Sequence, residues 1–388
     1  MLLTLEALQS NDGDCLLLHY QPGNQTGNNA PVRVLIDGGA AGIYKSILKR
    51  RLDQIRRQQP LRLRMVMVSH IDADHITGVI DLFKALEEQQ VNGEDGFCLV
   101  QTLWHNSFEA LHGGRQMVAQ STTVAASIDG VTPPRGLDWS TEAVVASVPQ
   151  GNQLRQSAVR LAIPINQGAG GALVQAPARG RQIVKIADGL TFTVLAPHEV
   201  QLNRLRADFE KAAAEIKAGA DDGAIGADYL NKTVPNMSSI VVMAEAAKPD
   251  GKPVRMLLTG DARGDVILES LQLAGFLDSQ RCHVDVLKVQ HHCSNHSTTQ
   301  DFFERVTADR YVICGNGSHD IPNKAALGWL SAARSGQAYD VYMTNRIGVL
   351  GLERTLDTFL ASEANHEPKH KYHFRGETDL SISVELAW

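Results

Sequence analysis

The sequence lacks any apolar run long enough to cross a membrane. Its longest apolar runs, residues 65–68 and 240–244, are far shorter than the roughly 20 residues that span a bilayer. The start of the chain has neither a basic segment nor a small-residue cleavage site, which argues against a secretory signal. We therefore expect neither a membrane protein nor a secreted one.

Cysteine is scarce and scattered. There are five cysteines, an odd number, and no two of them form a CxxC pair. Disulfide frameworks and thiolate zinc knuckles depend on paired cysteines, so neither is expected, and a reducing cytoplasm is the expected location. The five are Cys15, Cys98, Cys282, Cys293 and Cys314.

An excess of positive charge is also absent. The chain has 37 Lys and Arg against 43 Asp and Glu, a formal charge of -6. A chain that coats nucleic acid through bulk positive charge is therefore not expected, although a local basic groove stays open. The 388 residues, 43% of them hydrophobic, suffice for one large core or two modest ones.

Apolar periodicity predicts two mixed halves, each of which begins with strands and then acquires helices. In the first half, the expected strands are 2–8, 14–19, 32–37 and 65–69, and the expected helices are 43–56 and 79–86. In the second half, the expected strands are 190–195, 239–244, 255–259, 284–289, 311–314, 340–344 and 381–386, and the expected helices are 266–276, 299–306 and 324–333.

Between the halves, a stretch rich in Gly, Ala, Gln, Ser and Thr interrupts this alternation. We interpret residues 107–230 as a long insertion, a lid or interaction region, within a single domain that covers residues 1–388. Strands at 144–148 and 159–165 are expected inside it. A helix whose apolar face ends near Ile216 is expected to stop at the glycine-rich stretch 219–226.

The most informative motif follows the apolar strand at 65–69. His70, Asp72, Asp74 and His75 place four potential metal ligands within six residues. This spacing suits two metal ions a few ångströms apart, an arrangement that holds both the attacking and the leaving oxygen in a hydrolysis. The alternative is that Asp74 only caps the next helix and His70 is a hydrogen-bonded core histidine. Chance rarely places four ligands at one strand end, so we favour the metal site.

Two later strands end in further ligands. Asp261 follows Gly260 after one strand, where a carboxylate could bridge two cations, although a simple turn explains that pair equally well. His291 and His292 follow the next strand. Three strand ends with acidic or imidazole groups are what a binuclear site assembled from several loops requires.

Together these motifs resemble the metallo-β-lactamase superfamily, in the branch with HxDxDH in place of HxHxDH, as in the hydrolase domain of ComEC-like competence proteins. The matching segments are Gly13-Asp14, residues 35–39, the motif at 70–78, residues 258–261 and residues 288–294. The resemblance implies an α+β fold, a four-layer αββα sandwich of two similar halves. The count of strands and helices agrees with it.

The resemblance also implies roles for these residues. His70 and Asp72 would bind the first metal, Asp74 and His75 the second, and Asp261 would bridge the two. Either His291 or His292 would complete the second site, and we prefer His291, with His292 as a substrate contact or a supporting residue. Asp37 would support the metal loop as a buried carboxylate.

Three positions depart from the family pattern. Asp72 stands where most members have histidine, and Asn236 stands where a later histidine of the first site is usual. The first site thus exchanges imidazoles for oxygen donors, which leaves room for manganese beside zinc. Cys293 replaces a glycine, and a packing role is favoured over a ligand role.

Other polar residues carry weaker signals. His319 lies in a glycine-rich loop, where it could act on a substrate phosphate or a leaving group, and it is a candidate catalytic residue beside Asp74. His105 is as readily a structural histidine as a cleft residue. The basic stretch 369–375 is interpreted as a solvated loop before the last strand.

We therefore expect a metal-dependent hydrolase with one or two divalent ions, Zn²⁺ or Mn²⁺, that uses a metal-bound hydroxide oriented or deprotonated by Asp74. A substrate with a phosphodiester bond, as in a nuclease or phosphodiesterase, is favoured. A lactone or thioester hydrolase is the alternative enzyme. A non-catalytic component of a multi-protein bacterial system, with the 107–230 insertion as its protein interface, is the alternative without catalysis. The sequence leaves the oligomeric state open.

Overall fold

The structure is a computed structural model that describes residues 1–23, 31–56, 60–111, 139–207, 234–349, 351–364 and 369–388. It has a mixed α/β architecture with several sheets. Its strands are β1 (Leu2–Leu8), β2 (Leu16–Gln21), β3 (Val32–Ile36), β4 (Leu61–Leu63), β5 (Met65–Met67), β6 (Cys98–Val100), β7 (Leu103–Trp104), β8 (Gln182–Ala187), β9 (Leu190–Ala196), β10 (Val241–Ala246), β11 (Val254–Leu258), β12 (Cys282–Lys288), β13 (Val306–Ile313), β14 (Asp340–Met343), β15 (Lys371–Phe374) and β16 (Ser381–Ala387).

Helices connect many of these strands. The α-helices are α1 (Lys49–Ile55), α2 (Ala73–Val91), α3 (Phe108–Leu111), α4 (Trp139–Arg160), α5 (Val234–Met237), α6 (Gly264–Leu273), α7 (Gln300–Arg305), α8 (Lys324–Ala333) and α9 (Leu352–Ala364). A π-helical turn (Tyr44–Leu48) precedes α1, and residues 199–207 are also helical. Over the described parts of the chain, no helix combines the length and the apolar character that a membrane span requires.

The first sheet has the strand order β16-β1-β2-β3-β5-β7. β1, β2 and β3 are antiparallel neighbours, as the turn residues between them predict. β3, β5 and β7 then run parallel, because helices connect them. The last strand, β16, pairs antiparallel with β1, so the two ends of the chain close one edge of this sheet.

The second sheet has the strand order β15-β14-β13-β12-β11-β10-β9-β8. β8 to β11 are antiparallel, whereas β11 to β15 are parallel and α6, α7, α8 and α9 connect them in turn. The carboxyl ends of the parallel strands therefore lie at one edge, where ligands of α/β sheets usually bind.

Side-chain alternation in the strands separates three buried clusters. Leu16 and Leu18 of β2 pack in a cluster that both sheets share, whereas Leu17 packs in the cluster beneath α1, α2 and α4. On the second sheet, Leu287 and Tyr311 pack instead with α6 to α9. One buried cluster is thus shared by strands of both sheets, and the other two are shared by strands and helices.

Two strands predicted within residues 107–230 are wrong. Residues 144–148 and 159–165 were expected as strands, but α4 spans Trp139–Arg160 and residues 161–164 form a turn and an irregular connection. Its Leu154 and Ala158 lie four residues apart and pack with α2, and this helical packing outweighs β-branched propensity. In addition, β8 and β9 fall inside the 107–230 range, yet they belong to the second sheet.

Two further predictions concern residues outside the described chain and the basic stretch near the last strand. Residues 112–138 and 208–233, including Phe209, Ile216 and the stretch 219–226, lie outside the described residues. The basic stretch 369–375, expected as a loop, contains β15. This strand lies at the edge of its sheet, where charged side chains are common because they discourage pairing with another chain.

A buried carboxylate joins β1 to its neighbours. Glu6 is 1% exposed, and its carboxylate accepts hydrogen bonds from Arg51 Nε at 2.5 Å and from the Ser381 hydroxyl, with His19 Nε2 2.9 Å away. Burial raises the pKa of Glu6, but these partners lower it from its ordinary 4.5 to about 2. Glu6 therefore ties β1, β2, β16 and α1 together as an anion.

We expect Glu6→Gln to lower the free energy of unfolding by about 2 kcal/mol at pH 7, because the amide loses the ion pair with Arg51. A carboxylate with a depressed folded pKa stabilises fully above about pH 4.5, and this contribution disappears as the pH falls toward 2. Denaturant titrations of both proteins should therefore show a gap that narrows through this range. Glu385→Gln, at an exposed position of β16, is the control. A gap that is constant with pH would contradict this assignment.

Candidate metal centre

The motif at 70–78 lies where β5 ends and α2 begins. Residues 68–72 form the connection, and Asp72 is the N-cap residue of α2. The predicted order of strand, loop and helix is confirmed. Gly78 allows the loop of Gly38 to lie directly on this helix, since a Cβ atom on Gly78 would be 1.9 Å from the Gly38 carbonyl oxygen. Gly38 N–H in turn donates to the His75 carbonyl at 2.7 Å.

This close approach brings Asp37 to the motif. Asp37 is fully buried and accepts hydrogen bonds from Ser69 N–H and Ser69 Oγ, both at 2.7 Å. His75 Nδ1 lies 2.9 Å from Asp37 Oδ2, so the carboxylate orients the ring and leaves Nε2 directed elsewhere. The structure thus places Asp37 in the supporting position expected from the sequence.

The other ligands come from the second sheet. Asp261 follows β11, and His291 and His292 follow β12, at the edge where the parallel strands end. Ile240 N–H donates to the Ser69 carbonyl at 2.8 Å, which joins this edge to the end of β5. Gly260 has a φ of 49° and packs against Ser69, where a Cβ atom would be 2.9 Å from the Ser69 Cβ. Glycine at this position therefore permits the two sheet edges to meet.

The side chains converge as the metal hypothesis requires. His75 Nε2 lies 3.5 Å from both Asp74 Oδ2 and Asp261 Oδ1. His292 Nε2 lies 3.4 Å from Asp261 Oδ2 and 3.6 Å from Asp74 Oδ2. His70, His75 and Asp261 form one group with ligand atoms within 4.8 Å of one another, and Asp74, His75 and His292 form another.

The spacing of these atoms suits coordination of a shared cation better than hydrogen bonds between them. The Nε2 atoms of His70, His75 and His292 and Asp261 Oδ1 are buried and have no hydrogen-bond partner. Buried polar atoms almost always have a partner, so a group of four such atoms needs an explanation. Ligands about 2.1 Å from a tetrahedral ion are about 3.4 Å apart, close to the separations around Asp74 and Asp261. The cluster could therefore hold a metal ion.

The charges of the cluster are coupled. Burial raises the pKa of Asp74, but His75 and His292 lower it to about 2. Burial likewise opposes ionisation of Asp261, yet His292 and His75 bring its pKa well below the ordinary value. Burial lowers the pKa of both imidazoles, but Asp261 and the neighbouring aspartates raise it well above its ordinary value. The negative charge of the two carboxylates is therefore compensated by protonated imidazoles when no metal is bound, and a divalent cation would replace those protons.

Asp72 and Asn236, which were expected at the first metal site, lie at two different points beside this group. His70 Nε2 is 3.5 Å from Asp72 Oδ2. Asn236 is buried, its Nδ2 is 3.4 Å from His291 Nε2, and its Oδ1 has no hydrogen-bond partner. The amide of Asn236 thus lies at the rim of the cluster, next to Asp261 through His291.

The two adjacent histidines differ in placement. His292 is 3% exposed and belongs to the ligand group, whereas His291 is 21% exposed and its Nε2 lies 3.8 Å from Asp261 Oδ2. His291 Nδ1 is 2.5 Å from Ser297 Oγ. The geometry favours His292 as the ligand and His291 as the residue at the rim, opposite to the preference from the sequence. Three consecutive residues with positive φ, 291 to 293, turn the chain so that the second imidazole enters the cluster.

The remaining candidates lie outside the ligand groups. His319 is exposed in a turn after β13 and belongs to none of these groups within the described chain. His105 is buried, and its Nε2 donates to the Gly151 carbonyl at 3.2 Å; burial lowers its pKa to about 4, so it is neutral. It lines a small cavity together with His70. Cys293 packs in the apolar core, in the role favoured from the sequence.

Sequence reasoning assigned no role to three residues at the centre. Ser69 bonds Asp37, while Asp14 and Lys288 form a buried ion pair next to His292. The available signals were Asp14 in a glycine turn and a lone lysine at the end of an apolar strand.

A comparison with models of known protein families finds no match to this chain. A search of curated proteins likewise finds no matching relative.

We expect His292→Ala to weaken divalent-metal binding at least about 100-fold and His291→Ala to weaken it far less, because only His292 Nε2 faces both Asp74 and Asp261. Metal content after purification without added metal, followed by titration with a chromophoric chelator, measures both effects. An equal loss of metal affinity in the two variants would contradict this distinction between the histidines. A larger loss in His291→Ala would indicate that His291 is the ligand.

Proposed function

We propose that the chain is a divalent-metal-dependent hydrolase of the metallo-β-lactamase superfamily that cleaves phosphodiester bonds. The single observation that carries this proposal is the buried group of unpartnered Nε2 and carboxylate oxygen atoms around Asp261. The motifs at 70–78 and 258–261 come together there, as the resemblance implies. Two facing sheets with helices on their other faces are consistent with the four-layer sandwich of that superfamily.

We assign the residues to two donor sets as the resemblance implies, although the geometric group around His70 contains His75 and Asp261 and not Asp72. His70, Asp72 and Asp261 would hold one ion, with Asn236 nearby, and Asp74, His75, His292 and Asp261 would hold the other. Divalent cations at such a site supply Lewis acidity and lower the pKa of water toward neutrality. The protein contributes the positions of the donors and the charge of the carboxylates.

The exposed fractions of the ligand side chains indicate the side from which a substrate would reach the site. The side chains of Asp74 and Asp72 are 32% and 25% exposed, whereas those of His75, His292 and Asp261 are at most 4% exposed. Substrate therefore meets the site on the side of these two aspartates. Asp74 would accept a hydrogen bond from water and orient it, and His291, which is 21% exposed, would contact a substrate oxygen at the rim.

The donor chemistry favours phosphodiesters over carbonyl esters. The first set has one imidazole of its own and is otherwise made of oxygen donors, which suit hard ions such as Mn²⁺, and hard ions in turn suit phosphate oxygens. A carbonyl hydrolase and a binding protein without catalysis are the alternatives that the assays distinguish.

We expect purified protein to hydrolyse bis-p-nitrophenyl phosphate faster than a lactone or a thioester. Asp74→Asn should lower kcat at least about 100-fold, because the amide keeps the volume of the side chain but removes its charge. Asp81→Asn, two turns further along α2, is the matched control and should keep full activity. Wild-type turnover in Asp74→Asn would contradict the catalytic role of Asp74. Faster hydrolysis of a lactone or a thioester would show that the substrate is a carbonyl ester and not a phosphodiester.

After removal of metal by a chelator, we expect Mn²⁺ to restore more phosphodiesterase activity than Zn²⁺. The physical reason is the oxygen-rich set around Asp72 and Asn236, which is harder than a three-imidazole site. Asn236→His should shift the preference toward Zn²⁺ by adding an imidazole. If Zn²⁺ alone restores the unmodified protein, or if Asn236→His leaves the metal profile unchanged, then Asn236 does not serve the first site.

A further inference from the structure

A buried ion pair joins the two sheets behind the ligand cluster. Lys288, the last residue of β12, is fully buried, and its Nζ lies 2.6 Å from Asp14 Oδ2. Asp14 is 1% exposed and comes from the turn before β2. A lysine without access to water persists only beside an opposite charge, so each member of the pair fixes the other.

The second oxygen of Asp14 faces a proposed ligand. Asp14 Oδ1 is 3.3 Å from His292 Nδ1, while His292 Nε2 faces Asp74 and Asp261. The orientation resembles that of Asp37 and His75, in which a buried carboxylate faces Nδ1 and Nε2 is left toward the cluster. Those two residues are hydrogen-bonded at 2.9 Å, whereas Asp14 Oδ1 and His292 Nδ1 face each other without a hydrogen bond. The two histidines of the second donor set thus each have a carboxylate behind them.

The turn that carries Asp14 also contacts the metal motif through its backbone. A Cβ atom on Gly13 would be 1.7 Å from the Asp74 carbonyl oxygen, so this turn lies directly on the start of α2. The Asp14 carbonyl accepts a hydrogen bond from Gly39 N–H at 2.8 Å, beside the loop of Asp37. The position of Asp14 is therefore set by the same elements that set Asp74 and His75.

We propose that Asp14 and Lys288 are positioning residues for the second metal ion: Asp14 holds the Nδ1 proton of His292 and directs Nε2 to the ion, and Lys288 holds Asp14 in place. This inference rests on the proposed metal-dependent function. It assigns the pair an effect on one of the two ions, because His292 belongs to the second donor set and the first set lies on the side of His70 and Asp72.

Titration of metal-free protein with Mn²⁺ and Zn²⁺ by calorimetry tests the proposal. We expect Asp14→Ala to lower the binding affinity for the second ion about 10- to 100-fold and to leave the affinity for the first ion nearly unchanged. A loss of this size is typical when a carboxylate behind a ligating histidine is removed. Asp14→Asn keeps an oxygen that can accept from Nδ1, so it should lose less. Retained binding of the first ion shows that each variant is folded.

A second variant guards against loss of the fold. Asp14→Leu combined with Lys288→Met removes both buried charges, a change that folded proteins often tolerate. This double variant should still bind the first ion and should bind the second ion less tightly. Ring-nitrogen NMR of histidine-labelled, metal-loaded protein should show the Nδ1 proton of His292 shifted in Asp14→Ala, a signal that a purely structural tie between the sheets does not move.

The control is Glu6 of β1, a buried carboxylate whose basic partner lies away from the ligand cluster. Glu6→Gln breaks the pair with Arg51 and should lower stability without changing the affinity for either ion. If unmodified protein binds no divalent cation, the proposed function fails. If it binds two ions and hydrolyses phosphodiesters, but Asp14→Ala and the double variant bind the second ion as tightly and keep the His292 signal, only the positioning role is overturned.

Discussion

Five aspartates crowd together where two sheet edges meet, and their mutual repulsion shapes the rest of the centre. Asp14, Asp37 and Asp261 are buried, where water screens repulsion poorly, whereas Asp72 and Asp74 are partly exposed. Asp14 has Lys288, and Asp37 has Ser69 and His75. Asp74 and Asp261 are left with imidazoles at 3.4 to 3.6 Å, too far for hydrogen bonds. A divalent cation bound among these atoms would balance their charge and take up the ligand atoms that have no hydrogen-bond partner.

Glycine makes this crowding sterically possible. Gly13, Gly38 and Gly78 each lie so close to a neighbouring backbone that a Cβ atom would overlap it, and Gly260 packs tightly on Ser69. These contacts bring the turn before β2, the loop after β3 and the first turn of α2 into direct backbone contact. A side chain at any of these four positions would push a ligand-bearing segment outward, so the ligand distances depend on residues that carry no chemistry of their own.

The sequence predicted regular elements well wherever local signals and packing agree. The helix expected at 324–333 has those bounds, because Asn323 caps it by accepting from Ala325 N–H and its apolar face is periodic. The α4 helix was missed because its β-branched residues favour a strand locally, while packing of Leu154 and Ala158 on α2 decides for a helix. β15 was missed because its basic residues resemble a loop, although an edge strand accommodates them.

The sequence alone predicts which polar groups gather at the strand ends, because the residue types and their spacing around 70–75, 261 and 291–292 are local properties of the chain. Its resemblance to a family also indicated Asp37 as a supporting carboxylate. The packed structure was needed to show that His292, and not His291, lies in the cluster, because the two imidazoles are chemically alike and the backbone turn at 291–293 sets where each one points. It was also needed to pair Asp14 with Lys288, since these residues lie far apart in the chain and meet only when segments of the two sheets come together.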